Sequence, residues 1–267
     1  MPAPSPVTTI LFDLDDTLFD HAATARAALA ATAARRPALA AVPAEELYQR
    51  YSDLLEKMHP LVMRGQLPYQ QARQLRFERL LALYEGPGPV AAAEVAALAA
   101  RHYEHYQRLR RPVAGALALL QRLRPAYRIG IVTNNRTAEQ EEKLRYLGMS
   151  GLVDALITSE GVGVLKPDPA IFAAALQQLA AEPAQTVLVG DNWAADVLGA
   201  LAVGIRPVWL NRTGAARPLA HVAELRSLEP LAAVYQQITG VSYPQVAAEP
   251  RRAGPSAGMG SAQAIPS

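Results

Sequence analysis

The chain has 267 residues, 51% hydrophobic and 19% charged, which suffices for one α/β domain with an insert, or for two small domains. A net charge of +2 gives no case for nucleic acid or a membrane surface, and the lack of cysteine excludes disulfides, thiolate nucleophiles and cysteine metal sites. No apolar run is long enough for a bilayer, and the opening MPAPSPVTT lacks the basic-then-apolar pattern of a leader, so a cytoplasmic location is expected; a monomer or homodimer is the expected state.

Val7 to Phe12 reads as a buried strand followed at once by acidic residues. From about Asp20 to Arg110 no strand is predicted. This stretch is rich in Ala, Arg, Leu and Glu, and Pro37, Pro43, Pro60, Pro68 and the segment 86–89 divide it into several helices. Beyond Pro112 the pattern alternates. A helix over 114–123 precedes a strand at Arg128–Thr133, and the next helix carries a capping box of Thr137 with Gln140 and ends near Gly148. A strand at Ala155–Thr158 leads to a helix with Asp168 as N-cap and Pro169 in its first turn. Strands at Thr186–Val189 and Ile205–Leu210 flank a helix that stops near Gly204, and a weak strand and a last helix fall within Glu224–Ile238. Alternating elements of this kind form a parallel sheet. The expected division is a catalytic core of 1–18 plus 107–240, a helical insert of 19–106, and a disordered tail over 241–267, where Pro, Gly, Ala and Ser dominate.

The chemistry gathers at strand ends. Of nine aspartates, Asp13, Asp15, Asp16 and Asp20 follow the first strand, and Asp191 and Asp196 follow Gly190 at the end of another. Ligands of open parallel sheets bind at these carboxyl ends. Carboxylates crowded there repel one another, and a divalent cation is the simple remedy; an all-oxygen set suits Mg²⁺ better than Zn²⁺. Asp13 and Asp15, two apart in extended chain, face one substrate together. One carboxylate, ionised, attacks; the other, kept protonated, donates to the leaving oxygen. Asp16 and Asp20 read as turn formers. Thr133, Asn134 and the neighbouring Asn135 offer a hydroxyl and amides to phosphoryl oxygens. Lys166, held in Gly161–Pro169 between glycines and prolines, neutralises carboxylate and phosphate charge. It is one of only three lysines, with Lys57 and Lys143, among 26 basic residues.

This set resembles the haloacid dehalogenase (HAD) superfamily. Asp13-Leu-Asp15-Asp16-Thr17-Leu18 matches its first motif, Thr133 its second, Lys166-Pro167-Asp168-Pro169 its third, and Gly190-Asp191 with Asp196 its fourth, in the family's order over about residues 7–240. The resemblance implies a Rossmann-like α/β core, a parallel sheet flanked by helices, with the helical insert as a C1 cap. It implies Asp13 as nucleophile and magnesium ligand, and Asp15 as general acid/base whose main-chain carbonyl also binds magnesium. It makes Thr133 the phosphoryl binder, Lys166 the group that steadies nucleophile and intermediate, Asp191 a magnesium ligand and Asp196 its support. Within the family the chain is similar to pyrimidine nucleotidases and acylneuraminate-9-phosphatases, so a small phosphate ester, a nucleoside monophosphate or sugar phosphate, is the expected partner.

Asp15 separates reaction types. The family's 2-haloacid dehalogenases lack Asp at that position, because a halide leaves without a proton and an alkoxide does not. A dehalogenase, a phosphonatase, a phosphomutase and a non-catalytic phosphate binder remain the rival readings. A phosphonatase needs a Schiff-base lysine in the insert, where Lys57 stands alone. Arg64, Arg73, Arg76, Met58, His59 and Tyr69 are expected to contribute to substrate choice. His102 and His105 are read as a solvated helix face, and Trp193 as packed on the sheet.

Overall fold

The structure is a computed structural model and describes residues 6–86, 88 and 90–243. Six parallel strands form one sheet in the order β3-β2-β1-β4-β5-β6: β1 (Thr9–Phe12), β2 (Arg128–Thr133), β3 (Ala155–Thr158), β4 (Thr186–Gly190), β5 (Arg206–Leu210) and β6 (Ala223–Leu225). The strands are apolar on both faces, as a sheet covered by helices on each side requires. Side chains alternate between the two layers. Ile10 and Phe12, Ile129 and Ile131, and Val187 and Val189 join one core cluster, with Leu119, Leu123, Val234 and Ile238 from α6 (Ala116–Leu123) and α11 (Leu231–Thr239). Leu11, Val132 and Leu188 join the other, with Ile171, Phe172 and Ala175 from α9 (Pro169–Gln178). The strand order reverses between β1 and β4, the crevice where ligands of this architecture bind.

Between β1 and α6 the described residues form five helices: α1 (His21–Ala33), α2 (Pro37–Ala40), α3 (Ala44–Met63), α4 (Tyr69–Glu85) and α5 (Ala92–Arg108). They carry an apolar centre of their own, with Leu29, Leu47, Tyr51, Phe77, Leu80 and Leu98 buried together. Pro37, Pro43 and Pro68 sit at helix starts, where a missing N–H costs nothing. Pro60 breaks nothing. It lies inside α3, which runs only three residues further, so the helix stops soon after in any case. The chain leaves and re-enters the sheet side by side, through a bridge between Phe19 and Pro112.

The remaining helices after β2 are α7 (Thr137–Tyr146), α8 (Ser159–Val162) and α10 (Gly199–Ala202), with a π-helical turn at Trp193–Leu198 ahead of α10. Asp168 caps α9 by accepting from Ala170 N at 2.9 Å, as predicted. The predicted capping box of α7 does not form: the N-cap is Arg136, the Thr137 hydroxyl bonds Thr158, and Gln140 turns into the site. Residues 241–243 are described, with Tyr243 stacked edge-on against Tyr235; the rest of the expected tail lies outside the described residues. No helix among the described residues is long and apolar enough to cross a membrane.

Candidate active site

Asp13 is the residue that follows β1, and its N–H donates to Val189 O at 2.9 Å, which ties it to the end of β4. Only 7% of it is exposed. Asp191 and Asp196 come from the end of β4 and the π-helical turn. One carboxylate oxygen of each of the three lies within 4.8 Å of the others. Gly190 makes this possible, since a Cβ there would stand 2.3 Å from Asp196 Oδ2. Lys166 reaches into the cluster from the loop before α9. Its Nζ donates to Asp13 Oδ1 at 2.7 Å, Asp196 Oδ1 at 2.6 Å and Val132 O at 2.7 Å.

Three carboxylates thus face one ammonium. Burial, only partly offset by Lys166 and reinforced by Asp196, pushes the Asp13 carboxyl up to about 7. Burial, with Asp13 and Asp196 nearby, raises Asp191 well above the carboxylate range. Against the pull of burial, Asp13 and Asp196 hold Lys166 above its ordinary value. The cluster is short of positive charge, and its donors are all carboxylate oxygens. That set fits a hard divalent cation.

Asp15 stands apart from this cluster, and its side chain is gripped from α7 and the loop before it. Lys143 Nζ donates to Asp15 Oδ1 at 2.6 Å; Gln140 Nε2 and Asn135 Nδ2 donate to Oδ2 at 2.9 and 3.2 Å. Burial alone would raise this carboxyl, but Lys143, with His21 and Gln140, carries it well below the usual range. The expectation of a resting, protonated Asp15 is therefore corrected: it rests ionised. Lys143 is 1% exposed and also meets Glu139 at 3.7 Å. From sequence, Lys143 has no assigned role and Gln140 only a capping one. They lie one helical turn apart on the face of α7 that meets the sheet.

Thr133 ends β2, 1% exposed, its hydroxyl accepting from Gln140 Nε2 at 2.8 Å. Asn134 lines the cavity, yet its side chain is engaged at both ends by Lys166: Nδ2 donates to Lys166 O and Oδ1 accepts from Lys166 N. Its amide positions the lysine rather than a ligand. Asp16 and Asp20 are structural, as expected. Asp16 adopts φ +63 at the turn and accepts from Ala22 N at 2.8 Å, and Asp20 pairs with Arg212 at 3.0 Å. Trp193 packs edge-on against Trp209 of β5, whose Nε1 donates to Asp191 O.

These residues floor a cavity of about 370 Å³ whose upper wall comes from α3, α4 and α5. His59, Tyr69, Arg73 and Arg76 line it, as expected of residues that choose a substrate; Arg64 and Met58 do not, and Met58 is buried in the helical block. Tyr69 donates its hydroxyl to Glu139, joining α4 to α7. His102 also lines the cavity. It is 4% exposed and packs between Tyr51 and Phe77, so the solvated-face reading is overturned for this residue: α5 is central to the helical block, not peripheral.

The haloacid dehalogenase-like hydrolase family matches residues 7–204. The chain is 32% identical over 210 residues to the ribulose-1,5-bisphosphate 5-phosphatase of Halopiger xanaduensis, covering 75% of this chain and 83% of that protein. It is 40% identical over 102 residues to the pyrimidine 5'-nucleotidase YjjG of Escherichia coli, a match that spans 38% of this chain and 45% of that protein. The crystal structure of the HAD-hydrolase YfnB from Bacillus subtilis, bound to magnesium, superposes with a TM-score of 0.68 at 23% identity, over 86% of this chain and 99% of that one. That likeness bears on the fold.

Proposed function

The chain belongs to the haloacid dehalogenase-like hydrolases and is a phosphatase-type enzyme, and from that premise we propose that it is a magnesium-dependent phosphomonoesterase that works through an aspartyl phosphate on Asp13. The observation that carries this reading is the meeting of Asp13, Asp191, Asp196 and Lys166 at the crevice between β1 and β4, beneath a cavity sized for a small metabolite. Phosphorylated sugars and nucleoside monophosphates are the substrate types its relatives' names support. The catalytic core is read as 1–18 plus 107–240, of which 1–5 lie outside the described residues, and the helices within 19–106 act as a cap.

Magnesium, held by Asp13, Asp191 and Asp196 with the Asp15 main-chain carbonyl as a further donor, supplies positive charge beside the phosphoryl group when bound. Lys166 adds a fixed ammonium, lowering the repulsion between the Asp13 carboxylate and a phosphate dianion. Asp13 Oδ attacks phosphorus in line, forming the acyl phosphate as the ester oxygen leaves. Thr133 holds a phosphoryl oxygen, and Asn134 fixes Lys166 through its main chain. Asp15 rests ionised against Lys143. The arriving dianion raises its proton affinity, so it takes up a proton with the substrate and gives it to the leaving alkoxide. Ionised again, it accepts the proton of the water that cleaves the acyl phosphate. The helical cap limits water during the first step.

The dehalogenase reading gives no use to a proton-handling Asp15 gripped by Lys143, and a phosphonatase finds no buried lysine overhead, because Lys57 is exposed. The test is release of inorganic phosphate from an aryl phosphate, with halide release from a 2-haloacid measured in parallel. Phosphate is expected, halide is not, and a chelator is expected to stop the reaction until magnesium is restored. Halide release without phosphate, or phosphate release indifferent to the chelator, contradicts the assignment.

A further inference from the structure

Among the described residues two arginines are buried, and they differ. Arg110 and Arg76 are each 5% exposed and the Nε of each has no acceptor, but Arg110 meets Glu142 at 3.0 Å, whereas Arg76 has no ion pair within 4.0 Å among the described residues. A buried guanidinium without a counter-ion is costly, and stacking on an aromatic ring offsets part of that without satisfying its N–H donors. Arg76 has only the Tyr51 ring, 5.1 Å from its centre. Beside it, Arg73 also lacks an ion pair and is braced between Tyr103 at 3.3 Å and Tyr69 at 4.1 Å. Both arginines line the cavity, away from the metal-type cluster on its floor. Of the carboxylates that share the cavity, Asp13 and Asp196 are engaged by Lys166 and Asp15 and Glu139 by Lys143, Asp191 belongs to the metal-type cluster on the floor, and Glu56 is exposed.

We propose that Arg76, with Arg73 beside it, receives a second anionic group of the substrate, so that the preferred substrates are phosphomonoesters bearing a carboxylate or a further phosphate remote from the scissile one. This rests on the phosphatase reading above. Guanidinium matches either oxyanion with paired N–H donors, and a ligand anion supplies the partner that the fold withholds.

The test compares three esters of similar size on the full chain with magnesium: a sugar bisphosphate, a phosphorylated hydroxy acid and a sugar monophosphate with no second charge. At least one of the first two is expected to exceed the third in kcat/KM by about 10- to 100-fold, chiefly through KM, as charge-assisted hydrogen bonds of this kind allow. The better of the two identifies phosphate or carboxylate as the group read. Arg76→Met is expected to shrink that ratio towards one, and Arg76→Lys to keep part of it; the wild-type ratio needs no variant to fold. Equal use by the wild type of the ester that lacks a second anionic group, or a ratio that survives Arg76→Met, overturns the subsite alone. Cleavage of none of the three overturns the phosphatase reading as well.

Discussion

On the floor of the cavity, two buried lysines each hold two carboxylates, Lys166 with Asp13 and Asp196, and Lys143 with Asp15 and Glu139. In the upper wall, Arg73 and Arg76 have no carboxylate within ion-pair reach among the described residues, and His102 is buried with its Nε2 unpartnered. On the floor each lysine and its carboxylates fix one another before any ligand arrives. The upper wall presents arginines that meet aromatic rings rather than carboxylates among the described residues. A reaction needs the first arrangement, because reacting atoms must be held before the substrate arrives. Selection needs the second, because groups left unpaired reward the ligand that pairs them.

The comparison breaks most sharply at Lys143. If the floor is a network, Lys143→Met is expected to lower kcat by about 10²-fold, the usual worth of a well-placed proton-transfer group, with KM moving far less. A matching loss of thermal stability with kcat intact would make Lys143 a packing residue and leave Asp15 independent of it. Steady-state kinetics beside thermal unfolding of the same preparation separates these outcomes.

The floor was largely legible in sequence, and the reason is geometric. Asp13, Asp15, Thr133 and Asp191 directly follow or end strands, so a buried apolar run announces where their side chains must emerge. Lys166 and Asp196 came with recurring local patterns, Lys-Pro-Asp-Pro and Gly-Asp. Lys143 and Gln140 had no such marker. They reach the site from the inner face of α7, and whether a polar helix residue points to solvent or to a sheet depends on packing that no local pattern encodes. Gln140 was even claimed by a different rule, the capping box, because the Thr–Gln spacing is the same whether the side chain turns back on its own helix or inward. One signal was available: Lys143 is one of three lysines in a chain whose other basic residues are arginine. The upper wall was harder still. His102 and His105 share a helix face in sequence, yet α1, α3 and α4 close over α5 and bury one of them. Met58 and Arg64 were expected near the substrate, but Met58 is buried in the helical block and Arg64, just past α3, does not line the cavity.

A smaller effect sharpens the contrast from the other side. Burial, with Arg76, Arg73 and His105 nearby, lowers the His102 imidazole from 6.5 to about 3. The unfolded chain takes up this proton below 6.5 and the folded chain does not until about 3. The stability tied to the neutral ring is therefore complete above 6.5 and is lost as pH falls through that window. Denaturant unfolding of wild type and His102→Asn between pH 7 and about 4 is expected to show a steeper acid loss in the wild type, since the carboxylates common to both cancel in the difference. Parallel curves would mean that His102 is solvated, and would remove the distinction between a buried and an open upper wall.

The central claim is that Asp13 Oδ becomes bonded to phosphorus. Acid quench of the protein during turnover of an aryl phosphate with magnesium, followed by proteolysis and mass measurement, reads this directly. The expected result is one phosphoryl adduct on the peptide containing Asp13, absent from Asp13→Asn, whose turnover is lost by roughly 10⁴-fold or more while its unfolding transition persists. Steady phosphate release by Asp13→Asn, or an adduct on any other side chain, would contradict the account.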